Sequence, residues 1–166
     1  MAKEKNFCCM PVMVPTMDFS VEGVVHPFVK DAQPNSWQMS RGNICIFTGS
    51  NMAGKSTTLK ALTLAVWLAH CGLSVPVKSM ICPLYEGFIP LLICRILCGT
   101  DEVFYGGKYS VLRSDAKAVT GKRCLVVLDE MFRGTNAKDA FEASVAVNEL
   151  LKSFSHCHFL ISTHIL

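Results

Sequence analysis

The sequence predicts an α/β fold in which helices flank a mostly parallel sheet. The first observation is a set of apolar segments without polar alternation, such as ICIF at 44–47 and CLVVL at 124–128. Uninterrupted apolar strands are typical of parallel sheets that are covered on both faces. The second observation is that these segments alternate along the chain with helical patterns, which is the order that such a sheet requires.

The first part of the chain, residues 1–42, is expected to be a flanking segment of irregular and short extended structure. Four prolines interrupt it, and SVEGVV at 20–25 is its clearest extended piece. From Asn43 the pattern changes, because NICIFTGS predicts a strand that runs into a glycine turn. We therefore expect a core domain over residues 43–166.

The core domain continues with a predicted helix from Lys55 to Gly72. Four apolar residues recur at helical spacing on one face, and Gly72 is the expected stop; the four are Leu59, Leu62, Val66 and Ala69. Further strands are predicted at 73–77, within 80–98, at 122–130 and at 156–164, and helices at 108–120 and 138–154.

The composition excludes several classes of protein. The chain has 166 residues, of which 51% are hydrophobic and only 17% charged, so disorder, an acidic tail and a coiled coil are excluded. A net charge of +3 falls short of a dedicated nucleic-acid-binding module. The most apolar run, Phe88 to Cys98, contains Arg95 and is too short to span a membrane. Pro11 and Pro15 argue against a signal peptide, so we expect a cytoplasmic protein with no membrane partner.

The nine cysteines do not predict a disulfide framework or a zinc site. Their number is odd, and no CxxC pair occurs. Most lie in apolar runs, where a cysteine acts as a small hydrophobic residue. His156, Cys157 and His158 alternate along a predicted strand, so Cys157 faces away from both histidines and a metal site there is disfavoured.

The most informative motif is GSNMAGKST at 49–57, which fits the phosphate-loop pattern G-x-x-x-x-G-K-[ST] between a predicted strand and a predicted helix. Glycines allow the backbone to curl so that its N–H groups surround phosphate oxygens. Lys55 is expected to reach the β- and γ-phosphates, and the Ser56 hydroxyl to bind Mg²⁺. The alternative is an ordinary glycine-rich turn. The predicted nucleotide-binding residues are Gly49, Ser50, Asn51, Met52, Ala53, Gly54, Lys55, Ser56 and Thr57.

Two carboxylates follow the strand CLVVL. Asp129 lies where a parallel strand would end, at the edge where such sheets bind ligands, and is predicted to hold Mg²⁺. Glu130, the next residue, is predicted to be the general base that activates water, which favours hydrolysis over transfer to another acceptor. His164 ends a further apolar strand and is predicted to contact the γ-phosphate. The alternatives are solvated acids and a plain histidine at strand ends.

Together these motifs carry a family resemblance. TGSNMAGKSTTLKA, LDEMFRGTNAKDA and ISTH, in this order, closely resemble the ATPase domain of the MutS family of DNA mismatch repair proteins. The Asn51-Met52 pair is more specific than the general phosphate-loop pattern. The pair His26-Pro27 and the segment LAHCGLSVPV also resemble family segments, so the resemblance covers roughly residues 22 to 166.

The resemblance implies a P-loop ATPase of the ABC type that uses ATP and Mg²⁺ and works as a homodimer with composite sites. It places a loop that crosses the dimer interface at Arg133, Gly134, Thr135 and Asn136. It places the signature segment, which contacts the partner's nucleotide, at Ser110 and Asp115, although the expected glycine lies one residue too far upstream. Where the family usually has an aromatic residue beside the adenine, this chain has Ala32, which leaves Trp37 and His164 as alternatives.

The family's mismatch-reading, connector, lever and clamp regions have no counterpart in these 166 residues. We therefore expect a core that is cut short after its last catalytic residue, with duplex DNA bound by regions outside this chain. Two alternatives stay open. One is an ABC-type ATPase of another class, which the absence of an LSGGQ signature disfavours, and the other is a nucleotide-binding fragment that is inactive alone.

Overall fold

The computed structural model describes residues 8–39, 43–50, 52–90, 121–129 and 137–163. Within these ranges the chain forms two four-stranded sheets and two helices, which confirms the α/β class. In chain order the elements are β1 (Val12–Val14), β2 (Phe19–Val24), β3 (Asn35–Met39), β4 (Ile44–Phe47), α1 (Lys55–His70), β5 (Ser79–Pro83), β6 (Gly87–Pro90), β7 (Cys124–Asp129), α2 (Ala137–Lys152) and β8 (Cys157–Ser162).

The chain divides into two compact units. The first comprises Met1–Gly42 and Asn51–Leu84, and the second comprises Asn43–Ser50 and Tyr85–Leu166. The division of the sequence at residues 42 and 43 into a flanking segment and a core domain stays a prediction.

The first unit contains a mixed sheet with strand order β1-β5-β2-β3. β1 pairs with β5 in parallel, whereas β2 pairs with β5 and β3 in antiparallel orientation. The first part of the chain is therefore more regular than predicted. The prolines that suggested irregular structure, Pro11, Pro15, Pro27 and Pro34, all lie just outside strands, where a missing N–H costs no ladder hydrogen bond.

Helix α1 confirms the helix predicted after the phosphate loop. Its four predicted apolar residues are all buried, and the helix contacts β2. Gly72 ends it with a left-handed φ of 71°. The Gly72 N–H donates to Ala69 and the Leu73 N–H to Leu68, the paired hydrogen bonds of a Schellman cap.

The segment 73–77, predicted to be a strand, forms only an isolated bridge. Val75 exchanges backbone hydrogen bonds of 2.9 and 3.1 Å with Cys9, and regular pairing resumes at Ser79. On the other side the Val25 N–H donates a 3.1 Å hydrogen bond to the Pro76 carbonyl, but Pro76 has no N–H with which to return one, so regular pairing does not extend along this segment. β5 and β6 confirm part of the strand region predicted within 80–98, while residues 91–98 and the helix predicted at 108–120 lie outside the described residues.

The second unit contains an all-parallel sheet with strand order β4-β8-β7-β6. Alternate residues of β7 and β8 form a hydrophobic core with Leu151 and Val147 of α2, and Phe154 and Ile44 pack against this core. The strand residues of the core are Cys124, Val126, Leu128, Cys157, Phe159 and Ile161. The burial of all six residues of β8 explains why the sequence shows no polar alternation there.

Cys157 and His158 are successive residues of β8 and therefore point to opposite faces of the sheet. Cys157 belongs to the core beside α2, whereas His158 Nδ1 lies 2.6 Å from the Tyr85 hydroxyl. In the described part of the chain, no three His, Cys, Asp or Glu side chains are grouped as metal ligands. Neither of the helices described above has the length and apolarity needed to cross a membrane.

Gly87 packs against Cys124 so closely that a side chain does not fit. A Cβ atom at residue 87 would lie 2.7 Å from the Cys124 Sγ, and Cys124 is only 1% exposed. Gly87→Ala is therefore expected to lower the free energy of unfolding by about 1–3 kcal/mol through overpacking. Urea denaturation measures this, and combining it with Cys124→Ala should recover part of the loss. If Gly87→Ala lowers the free energy of unfolding equally with and without the Cys124 sulfur, overpacking against Cys124 is not the cause of the loss.

Candidate functional site

Three strands of the parallel sheet end at the same edge, because parallel strands share one direction. In the register of the sheet, Phe47 of β4 is opposite Ser162 of β8, and Ser162 is opposite Asp129 of β7. The Thr163 N–H donates a 3.0 Å hydrogen bond to the Phe47 carbonyl and extends this alignment past β8. Gly49 is the second residue after β4, at this edge, where open α/β sheets bind their ligands.

Asp129, the predicted Mg²⁺ ligand, is oriented by a neighbour that the sequence analysis did not assign. The hydroxyl of Ser162 donates a hydrogen bond to Asp129 Oδ1. Ser162 is fully buried, whereas Asp129 is half-buried, so the serine hydroxyl holds the Oδ1 atom of a carboxylate at the boundary of the sheet interior. The signal for Ser162 was its position directly opposite Asp129, which only the strand register reveals.

The phosphate-loop residues that precede α1 form a tight turn in the first unit. Met52 has φ 69° and Gly54 has φ 85°, a left-handed conformation that glycine adopts at low cost. Gly54 is the N-cap of α1, and its carbonyl accepts the first helical hydrogen bond from the Thr58 N–H at 2.9 Å.

The start of α1 is suited to an anion. Gly54 provides no side-chain cap, and the first turn contains no acidic residue, so no side chain from the beginning of the helix itself occupies its amide end. Lys55, the first helical residue, is 9% exposed, which places a cationic side chain in a largely desolvated position at this end. Ser56 follows it in the first turn of the helix.

A cavity of about 390 Å³ lies beside the start of α1, entirely within the first unit. Three phosphate-loop residues line it, together with residues from the end of β2 to the start of β3, most of which the sequence analysis did not assign. Trp37, one proposed partner of the adenine, lies on β3 and is not among the lining residues. The lining consists of Val24, His26, Val29, Asp31, Ala32, Gln33, Asn35, Ala53, Gly54, Thr57, Thr58 and Ala61.

The structure thus describes two groups of predicted residues, one in each compact unit. Gly49, Ser50 and Asp129 belong to the parallel-sheet unit, and Met52 through Thr57 belong to the first unit. The remaining predicted residues lie outside the described ranges; they are Asn51, Ser110, Asp115, Glu130, Arg133, Gly134, Thr135, Asn136 and His164.

Comparisons with known proteins point in one direction. A family model described as MutS domain V matches residues 45–166. The chain is 32% identical over 173 aligned residues to the DNA mismatch repair protein MutS of Granulibacter bethesdensis, covering 97% of this chain and 18% of that protein. It is 31% identical to the MutS of Petrotoga mobilis, covering 85% and 17%, and 30% identical to that of Lactobacillus helveticus, covering 98% and 20%. The chain thus spans about a fifth of the length of these relatives.

Proposed function

This chain belongs to the MutS family, and from that premise we propose that it binds ATP with Mg²⁺ and hydrolyses it to ADP and phosphate. The observation that supports this most strongly is the turn before α1. Gly54 has a left-handed φ of 85°, and the uncapped helix begins with a largely buried lysine. Backbone amides, the helix dipole and a cation then favour the same anionic ligand. The proposed fold type is a P-loop ATPase of the ABC type.

The proposed division of labour follows the motifs. Residues 49–57 surround the phosphates, with Lys55 neutralising the β- and γ-phosphates. From the motifs alone, we assign the Ser56 hydroxyl and the Asp129 carboxylate as the groups that would bind Mg²⁺, a metal that prefers oxygen ligands and is usually bound through one or two carboxylates. When bound, Mg²⁺ neutralises charge that develops on the phosphate oxygens. The hydrogen bond from Ser162 keeps the Asp129 carboxylate oriented toward that task.

Hydrolysis requires groups that act on water and on the terminal phosphate. We assign Glu130 as the general base that takes a proton from the attacking water, and His164 as a contact of the γ-phosphate. For a homodimer we assign Ser110 and Asp115 to the segment that contacts the partner's nucleotide, and Arg133, Gly134, Thr135 and Asn136 to the interface loop.

At the level of the whole protein, we propose that ATP binding and hydrolysis change the conformation of a MutS-like dimer on mismatched duplex DNA. The relatives are named DNA mismatch repair proteins, and they extend well beyond the segment that matches this chain. Differential contacts with the γ-phosphate in the two conformations would supply the free energy for the change.

The function is tested by titrating the chain with ATP, with and without Mg²⁺, in an isothermal calorimeter and by assaying phosphate release under the same conditions. Saturable binding that Mg²⁺ strengthens supports the proposal. Binding without turnover indicates a nucleotide-binding module that needs its dimer for hydrolysis. A chain that binds no ATP at millimolar concentration contradicts the function.

Mg²⁺ is expected to strengthen the binding of ATP, and Asp129→Asn should remove most of this effect. The affinity for Mg-ATP should fall roughly tenfold, or by about 1.4 kcal/mol. The amide keeps an oxygen for the Ser162 hydroxyl but loses the charge that attracts the metal. Ser162→Ala should have a smaller effect of the same kind, because the carboxylate is kept and only its orientation is freed.

Asp18 offers a matched control for this measurement. Its exposed carboxylate accepts a 2.8 Å hydrogen bond from the Thr16 hydroxyl, so it repeats the pairing of a hydroxyl with an aspartate at a residue that belongs to none of the predicted site motifs. Asp18→Asn should leave ATP affinity and its Mg²⁺ dependence unchanged. The metal assignment is wrong if Asp129→Asn behaves like this control.

A further inference from the structure

The turn that follows β2 holds His26 in a defined orientation. The His26 carbonyl accepts a 3.1 Å hydrogen bond from the Val29 N–H, which closes a turn with Pro27 in its second position, where the fixed φ of proline is favourable. The Phe28 N–H donates to His26 Nδ1 at 3.3 Å. Because Nδ1 accepts a hydrogen bond, the proton of the neutral ring lies on Nε2. Ring orientation and tautomer are thus both specified by the local backbone.

His26 is one of the residues that line the cavity beside α1. Among the described residues that line this cavity, His26 alone carries a ring. The rings of His26 and the neighbouring Phe28 form an edge-to-face pair, with centroids 6.0 Å apart and an angle of 62°, but Phe28 does not line the cavity and is 87% exposed. Ala32, which the resemblance places near the family's aromatic residue, also lines the cavity, and its methyl group offers no stacking surface.

Gly54 and His26 line the same cavity, which connects the phosphate loop to the ring. A nucleotide whose phosphates lie at the start of α1 can therefore place its base in the cavity. A volume of about 390 Å³ falls in the range of ~300–1,000 Å³ that small-molecule sites occupy. Ala53, Ala61 and Val24 contribute short side chains to the lining and leave room for a flat group.

We propose that His26 is the residue on which the nucleobase of the bound ATP stacks. This inference rests on the proposed function, because it assumes that the phosphates bind at the phosphate loop. Histidine rings, like other aromatic side chains, stack on nucleobases. The turn over His26 to Val29 takes the place of the missing aromatic residue by presenting an oriented imidazole to the base.

The test compares ATP with inorganic triphosphate, which has the phosphates but no base, in separate calorimetric titrations of the unsubstituted chain and its variants. His26→Ala is expected to weaken ATP binding roughly tenfold and to leave triphosphate binding within about twofold. His26→Phe keeps a flat ring and should retain most of the ATP affinity. His26→Asn keeps an acceptor for the Phe28 N–H but has no ring, so it should behave like His26→Ala.

Phe28→Ala is the matched control, because it removes the neighbouring ring while His26 stays; ATP affinity should change less than about twofold. The inference is overturned if His26→Ala leaves ATP affinity unchanged, if it weakens both ligands equally, or if His26→Phe is as weak as His26→Ala. The proposed function survives those results, since binding of ATP and triphosphate would persist. Binding of neither ligand to the unsubstituted chain overturns the function and this inference together.

Discussion

Replacing Lys55 with alanine is expected to weaken ATP binding at least about thirtyfold. Lys55 is the first residue of α1 and is 9% exposed, so in the proposed site its ammonium group would meet phosphate in a largely desolvated position. Removing one partner of a desolvated charge pair costs far more than removing an exposed one, because the remaining charge is left without compensation. Alanine also favours helix, so α1 should persist in the variant.

Lys60 provides the matched control for this variant. It lies on the same helix, but its side chain is exposed, and Lys60→Ala should change ATP affinity less than about twofold. Inorganic triphosphate should follow ATP, with the large loss in Lys55→Ala and none in Lys60→Ala. Equal affinities of the two variants for ATP would mean that the phosphate loop is not where the phosphates bind. Thermal unfolding of both variants separates this result from a loss of folding.

The parallel-sheet unit was largely predictable from sequence because its signals are local. CLVVL is an uninterrupted apolar run, which favours a buried strand. The first polar residue after this run is Asp129, which lies at the end of β7. The helix predicted from Lys55, which belongs to the first unit, was also confirmed as far as its cap at Gly72. Its signals, the spacing of apolar residues and a glycine stop, likewise lie in contiguous residues.

The first unit was harder to predict because its order depends on pairing between distant segments. β1 is only three residues long and forms by pairing in parallel with β5, and no pattern within the residues of β1 predicts this partner. The strand predicted at 73–77 did not form, for the complementary reason. Its composition favours a strand, but Pro76 removes the donor that continued pairing needs.

The same distinction applies to the candidate site. The phosphate loop and Asp129 belong to contiguous motifs, so their residues could be assigned before the fold was known. Ser162 could not, because its hydrogen bond to Asp129 depends on the register between β7 and β8. The place of His26 in the cavity depends on the turn after β2 and on the packing of α1 beside it.

A second large effect is expected on stability, and it depends on pH. Burial lowers the pKa of His158 from 6.5 to about 4, because the side chain is 3% exposed and the charged ring would lose its hydration. The neutral ring is hydrogen-bonded to the Tyr85 hydroxyl at 2.6 Å. Between pH 6.5 and 4 the unfolded chain therefore binds a proton that the folded chain does not.

The free energy of unfolding consequently rises with pH in this window and falls as acid is added. A difference of 6.5 minus 4 in pKa corresponds to about 3 kcal/mol of stability that is complete above pH 6.5 and lost by pH 4. Urea denaturation at intervals of half a pH unit measures the slope. His158→Asn keeps a polar partner for Tyr85 but does not titrate, so its unfolding free energy should lack this component.

The carboxylates also titrate below pH 5, so the informative quantity is the difference between the two pH profiles. His156 supplies the control, because it precedes β8 and is only partly buried, and His156→Asn should keep the full slope of the unsubstituted chain. If the profile of His158→Asn parallels that of the unsubstituted chain between pH 6.5 and 5, the buried imidazole is not the group that the acid protonates. A difference between these profiles would instead show that the Tyr85–His158 pair makes the stability of the fold sensitive to acid.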